Sequence, residues 1–538
     1  LEFTKKGDDG QDRLAGVAFK LTSKTTGESR VVVTHENGYF SSASSWNKHT
    51  HETNANDWAL DAEDVIDSSK LDATAGVWFG GTTPDDSKGA LPYDTYDIEE
   101  LRCTANEGYQ LIKTSVIVSR DGKVYDFGTL TDVKASITTK AYDPIDGDSN
   151  IGMGNFLTIE DKVAYANLFP GRNYKLVAEL HDAKTGEVLY DGKTVEHTFT
   201  AQEPSGFEVI RIDGIDTFGF AGKTITVYEK LYDEGGSLIA KHTDKDDVNQ
   251  QVTVIVPEIG TTATDGADGD KLVSTDDAAT VVDTVHYKNL IPGRSYALVG
   301  ALFVKKTAED GEVTGDVLTV DGAPVVSYTT FTPETSDGDA EVTFTFDSLA
   351  LKDGTQLVAA EVLFGIPLEP SDLTEPDADA LLELMENAED VSTFLAKHFD
   401  IEDLGQTVTI KNPKIATTAL DGIDNDKNVV TDSETVIVDT VEYHNLVPGK
   451  EYTLKGSMQV KGEKDGKPVA TPLEVDGKPV TAETTFTPEA AHGTVNVTFT
   501  FDSRDLEDGT QLVVFENLER NGNVLVTHED IEDINQMV

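Results

Sequence analysis

The sequence is short of the features that usually anchor a functional reading. It has one cysteine, Cys103, in 538 residues, so no internal disulfide can form. Long extracellular β proteins are normally stapled by disulfides, so either this chain is cytosolic or another staple replaces them. Basic residues are few: 43 Lys and Arg face 98 Asp and Glu, for a net charge of −55. Such a surface repels phosphate, which argues against nucleic acid and anionic membrane as partners. No apolar run approaches the roughly 18 residues of a membrane span. No charged-then-apolar signal peptide opens the chain at Leu1 and no sorting tail follows Val538, so an excised piece is expected. Phosphate loops, metal-ligand clusters and nucleophile elbows are also missing, which disfavours an enzyme acting on an external substrate. Tryptophan is scarce, and Trp46, Trp58 and Trp78 all fall in one poorly periodic stretch, about 41–90.

What the chain has is repetition. "VVDTVHYKNLIPGRSYALVGAL" at Val281 returns as "IVDTVEYHNLVPGKEYTLKGSM" at Ile437 and, more weakly, as "IEDKVAYANLFPGRNYKLVAEL" at Ile159. Each copy follows a Thr-Thr pair ("SITTKAYD", "EIGTTATD", "KIATTALD") and precedes a strand ending in Glu and a His–Gln segment. Three units result, near 135–256, 257–411 and 412–538. Dense Val, Thr, Tyr and Phe in alternation, with Gly, Pro and Asp turns at short spacing, predict antiparallel β-sandwiches and an all-β chain of tandem Ig-like domains. The middle unit is longer by an insertion, about 367–397, where Leu381, Leu384, Met385 and Ala388 suggest one amphipathic helix that decorates a loop. Residues 1–134 differ, reading as two groups of short strands around the tryptophan-bearing stretch. That stretch is either a recognition surface or a small extra core.

Strand alternation places i, i+2 and i+4 on one face. Asp161, Asp283 and Asp439 then sit among apolar residues, as in Ile437, Asp439, Val441 and Tyr443. Glu229, Glu361 and Glu516 do the same, and His242, His398 and His528 follow suit. A buried unpaired carboxylate is expensive, and two neighbours share a proton with one pKa raised. Such a set serves proton transfer better than stability. The first strand offers a Thr hydroxyl (Thr138, Thr261, Thr417) and the last a carboxamide (Gln250, Gln406, Gln536). Folding would supply the proximity for one intramolecular reaction, a Thr–Gln ester with loss of ammonia.

These residues carry a resemblance to the ester-bond-forming domains of Gram-positive surface adhesins, also called VaFE repeats after the strand seen here as "LVVFENL". The resemblance implies Thr417 and Gln536 as the linked pair of the third repeat, assisted by Asp439, Glu516 and His528. In the second repeat it implies Thr261 and Gln406, assisted by Asp283, Glu361 and His398. In the first it implies Thr138 and Gln250, assisted by Asp161, Glu229 and His242. That repeat departs most, with Lys162 after Asp161, "VYEKL" for "VFENL", and Gln251 as a second candidate partner. Residues 1–134 resemble the collagen-adhesin B-type domain through "GVAFKLTS", "THENGYF" and "TYDIEELRCTANEGYQLI". The resemblance implies an isopeptide from Lys5, with Glu100 as catalyst and Asp126 in "KVYDFGTL" as acceptor, since no Asn stands in that last strand.

The implied protein is an extracellular, cell-wall-anchored stalk: a monomeric rod whose host or microbial ligand is held by a tip domain outside this chain. A ligand-binding adhesin fragment using the tryptophan stretch is the alternative. No cofactor is expected. "DGDSN" at Asp146, "DGDKL" at Asp268 and "DNDKN" at Asp424 have a calcium-like spacing, but the later Gly and bidentate Glu of an EF-hand are missing, and a solvated acidic turn is the simpler reading.

Overall fold

The structure is a computed structural model that describes residues 1–8, 13–366 and 377–538. It is all-β, with tandem sandwiches and one α-helix among the described residues. The chain forms two compact units, Leu1–Ile255 and Val256–Val538.

Within the first unit, residues 1–134 build one sandwich. Glu2–Lys6 runs between Tyr39–Ser41 and, in parallel, Asp126–Thr131. A four-stranded sheet in the order Ser29–Val33, Ala18–Ser23, Asp94–Glu100, Lys113–Val118 faces it. The core between them holds Phe3, Phe19, Phe40, Tyr96 and Ile98. The tryptophan-bearing stretch splits between its two readings. Val77, Trp78 and Phe79 join that core, whereas Trp58 is 86% exposed.

Each repeat is a sandwich of the same plan, clearest in the third. Thr435–His444 lies between Lys414–Asp421 and Gly493–Phe501. Opposite, Leu512–Arg520 lies between Tyr452–Lys464 and Asn523–His528. Alternate residues of Thr435–His444 are buried, so the apolar half of the pattern meets the other sheet. The shared "NL-x-PG" phrase is a turn. Asn167, Asn289 and Asn445 adopt positive φ, which Asn tolerates better than most residues, and Gly171, Gly293 and Gly449 do so four residues later. Two of these asparagines reach back to the junction with the preceding repeat: Asn445 Nδ2 donates to Asn412 O at 2.9 Å, and Asn289 Nδ2 to Val256 O at 2.9 Å.

In the middle repeat the expected helix runs from Ala378–Glu386, capped by the Asp377 carboxylate accepting from Ala380 N at 2.7 Å. Leu381 and Ala388 are buried against Ala297, Val299, Val362 and Phe364, with Leu384 and Met385 partly buried beside them. It is thus a cover on the outer face of the sheet that carries Glu361. The start of the predicted insertion, 367–376, lies outside the described residues.

Candidate functional site

The two sheets of each repeat bring one set of polar side chains into an otherwise apolar interior. In the third repeat Thr417 pairs with Val441, and Ala419 with Asp439, so Thr417 and Asp439 point inward from adjacent strands. Across the core, Glu516 sits between Gly456 and His528 in register. The second repeat repeats this with Thr261, Asp283, Glu361 and His398. Asp161, Glu229, Asp283, Asp439, Glu516 and the three glutamines are fully buried. The histidines sit at the rim, half-buried. Glycine makes room for the glutamate: a Cβ at Gly300 would lie 2.8 Å from Phe344 Cζ and 3.1 Å from Glu361 Oε1. In the first repeat Ala178 occupies the equivalent place opposite Glu229.

None of the Asp or Glu carboxyls of the three clusters makes a well-formed hydrogen bond, and the Thr261 and Thr417 hydroxyls are equally unpaired. Each Asp instead faces its Glu and a Thr hydroxyl. Burial therefore dominates their protonation. It pushes Asp439 up to about 7 and Glu516 up to about 9, the latter raised further by Asp439. Asp161 rises to about 7 for the same reason, Asp283 rises as well, and Glu229 and Glu361 rise well above the usual range. In the third repeat one carboxyl, Glu516, thus holds its proton at neutral pH and the other, Asp439, exchanges it readily, and the other two pairs shift in the same direction.

The glutamine amides are held rigidly. Gln536 Nε2 donates to Val514 O at 2.7 Å and His528 O at 2.8 Å, while its Oε1 accepts from Asp530 N at 3.1 Å. Gln406 is bound alike, to Ala359 O at 2.7 Å, His398 O at 3.4 Å and Asp400 N at 3.1 Å. A backbone N–H on the carbonyl oxygen is where charge would develop if a hydroxyl attacked the amide carbon. In the first repeat Gln250 keeps both donor contacts, to Val227 O and His242 O, but its Oε1 has no partner. Gln251, the second candidate there, is tied to Lys245 O and only half-buried.

Two expected positions are corrected. Thr138 is exposed, and Thr139 is the buried hydroxyl facing Asp161, with its Oγ1 3.4 Å from His242 Nδ1. The first repeat's Thr-Thr pair is offset by one: Ile137, Thr139 and Ala141 are the buried set, as are Ile415, Thr417 and Ala419. In residues 1–134, Lys5 and Glu100 are buried together, with Lys5 Nζ 3.3 Å from Glu100 Oε2. Asp126, however, is exposed and accepts from Gly128 N at 2.7 Å. The carboxyl against Lys5 belongs to Asp132, fully buried just past the strand. A bulge explains the slip. Gly128 has φ 66, and the pairing shifts from Glu2 with Asp126 to Thr4 with Thr129, which reverses the faces beyond it. Burial and the Glu100 charge push Asp132 up to about 8, and Glu100 is fixed by Asn106 Nδ2 at 2.9 Å and Ile112 N at 3.0 Å.

One group escaped the sequence reading. Asp247, Asp403 and Asp533 pair with the histidine Nε2 atoms at 3.1, 3.3 and 3.3 Å, each five residues after its His. That fixed interval was the available signal. The acidic turns, by contrast, spend their carboxylates on backbone. Asp268 and Asp424 accept from the N–H two residues on, at 3.2 and 3.3 Å. Only around Asp265, Asp268 and Asp270 do three carboxylates of the described residues converge.

Comparison with known proteins gives one family. The model of the T-Q ester bond containing domain matches residues 135–254, 257–410 and 413–538. No curated protein matches the chain. Among solved structures, a bacterial adhesin from Mobiluncus mulieris containing intramolecular disulfide, isopeptide and ester bond cross-links is 14% identical. That match covers 56% of this chain and 90% of that one at a TM-score of 0.20. BcpA, the major pilin subunit of Bacillus cereus, is 12% identical over 68% of this chain and 87% of its own, at a TM-score of 0.21.

Proposed function

Because the chain belongs to the T-Q ester bond containing domain family, we propose that it is the structural stalk of a Gram-positive surface adhesin, laced by bonds its own domains make. The pairs are Thr139 with Gln250, Thr261 with Gln406, and Thr417 with Gln536. Residues 1–134 add an isopeptide between Lys5 and Asp132.

The observation that carries this reading is the threefold recurrence of a buried hydroxyl, two carboxyls and a clamped carboxamide on facing strands. In each repeat the ionised Asp takes the Thr proton as Oγ attacks the Gln Cδ. The neutral Glu and, in the second and third repeats, the backbone N–H on Oε1 stabilise the charge that gathers on the oxygen. The Thr proton ends on the departing amide nitrogen, and ammonia leaves. The His–Asp pair at the rim orients a route for that proton. For the isopeptide, the Lys5 amine attacks Asp132 Cγ, Glu100 accepts and returns a proton, and water leaves. Each set acts once on its own domain, so no turnover of an external substrate is involved. The bonds replace the disulfides that a chain with one cysteine cannot make. An extracellular, cell-wall-anchored location follows from this role, with the ligand-binding tip carried elsewhere.

Intact mass tests it. Three esters and one isopeptide lower the mass by three ammonias of about 17 Da and one water of about 18 Da. Hydroxylamine should cleave the three esters, adding about 33 Da at each as the Gln hydroxamate forms, and leave the isopeptide intact. A mass equal to that of the unmodified sequence would end the proposal. The exposed Trp58 supports a second reading, a ligand surface on residues 1–134. Loss of cell or glycan binding in the full chain on Trp58→Ala would support it.

A further inference from the structure

Lys271 and Lys427 lie outside the reacting set, yet each ties together the two segments to be joined. Lys427 Nζ donates to Ala419 O at 2.6 Å and to Asn535 O at 2.6 Å. Lys271 Nζ donates to Ala263 O and, at 2.6 Å, to Gly405 O. Ala419 lies two residues after Thr417, and Asn535 immediately precedes Gln536; Ala263 and Gly405 stand in the same relation to Thr261 and Gln406. The same acceptor carbonyls also receive Ala419 N at 2.9 Å and Ala263 N at 3.0 Å. An ammonium bridging two carbonyls therefore fixes the first strand against the last segment beside the atoms that must meet. It also places a positive charge near Asp283 and Asp403, or Asp439 and Asp533.

The first repeat is a built-in contrast. Ser149 stands where Lys271 and Lys427 stand, the backbone bond from Ala141 to Asn249 is not made, and Gln250 Oε1 lacks the donor that holds Gln406 and Gln536. We propose that Lys271 and Lys427 are positioning residues for ester formation, and that the first repeat, with Ser149 in their place, closes its ester more slowly. The inference rests on the Thr–Gln reading above. The lysine keeps its protons throughout; the Thr proton still passes to the amide nitrogen and ammonia still leaves. Its contribution is geometric, because attack on a poor electrophile falls steeply when the atoms are misplaced by about 1 Å. It is also electrostatic: Asp439 faces Glu516, Thr417 and Lys427, and the ammonium adds to Glu516 and Thr417 in favouring, against burial, the ionised form that accepts the proton.

The test uses the full chain, made by cell-free translation and quenched in acid at intervals. Digestion then separates peptides joined between Thr417 and Gln536 from unjoined ones. Lys427→Met should slow joining in the third repeat by about tenfold, while the second repeat of the same molecules joins at the parental rate. The low-pH limb of the rate profile should move to higher pH, because Asp439 loses its neighbouring cation. Lys427→Arg should restore part of the rate, and Ser149→Lys should speed the first repeat. Parental rate and profile in Lys427→Met overturn the inference and leave the ester reading intact. If Lys427→Met fails to fold, Ser149→Lys decides, since it removes nothing needed: faster joining supports the inference and an unchanged rate overturns it. A parent chain that never joins Thr417 to Gln536 overturns both.

Discussion

Pulling the chain from its ends should reveal which bonds carry load. With Thr417 linked to Gln536, tension enters the third repeat near its first strand and leaves near its last segment, so it passes through the ester and spares the sandwich. The parent should then show no unfolding step for that repeat. Thr417→Ala removes the nucleophile, and roughly 120 residues become free to extend, releasing about 400 Å of contour at the reach of an extended chain. The same substitution returns loop entropy to the unfolded state, which lowers stability by roughly 4–5 kcal/mol for a loop of that span. Glu516→Gln should give the same extension, because Glu516 serves the reaction while Gly456 and Phe499 still pack around it. Single-molecule force spectroscopy reads both. If the Thr417→Ala repeat proves as inextensible as the parent, load does not run through this bond and the linkage is misassigned.

Three further outcomes follow from the buried groups. In the unlinked repeat burial holds Asp439 at about 7 and Glu516 at about 9, above their usual 3.8 and 4.5, and Thr417→Ala removes a hydroxyl that lowers Asp439, so both carboxyls stay raised. The folded state then binds more protons than the unfolded one between those limits, so denaturant stability should fall as pH rises from about 5 to 9, by a few kcal/mol; stability flat or rising over that range refutes the neutral-pair picture. Thr139→Ala should abolish the first repeat's ammonia loss and Thr138→Ala should not, as read by peptide mass. Asp126→Ala should leave the isopeptide intact, whereas Asp132→Asn should expel ammonia in place of water and finish at the parent's mass; an Asp132→Asn chain that retains its full mass refutes the acceptor assignment.

Much of this was legible because β alternation has a period of two. A carboxylate recurring between Ile437 and Val441, or between Val514 and Leu518, had to face inward wherever the strand ran unbroken. Two positions rested on the resemblance and not on alternation. Asp132 lies beyond the bulge at Gly128, which leaves no signature beyond a single glycine, and Thr138 was matched as the first of the Thr-Thr pair although alternation from Ile137 picks Thr139. Asp247, Asp403 and Asp533 escaped because they lie beyond the strands, where alternation says nothing and only contact with the histidine reveals them. The lysine bridges escaped likewise, since their acceptors are backbone carbonyls distant in sequence.

The complete burial of the glutamines has a consequence in time. An ester at Gln250, Gln406 or Gln536 is a bond that water can cut, yet those side chains have no exposed surface in the closed repeat. Hydrolysis must then wait for a local opening, and its rate becomes that of the rare open state. An amide between Lys5 and Asp132 is far slower to hydrolyse. Along one chain the linkages would age differently, so the fraction of cut esters in a protein recovered from its surroundings would record how often each repeat had come open.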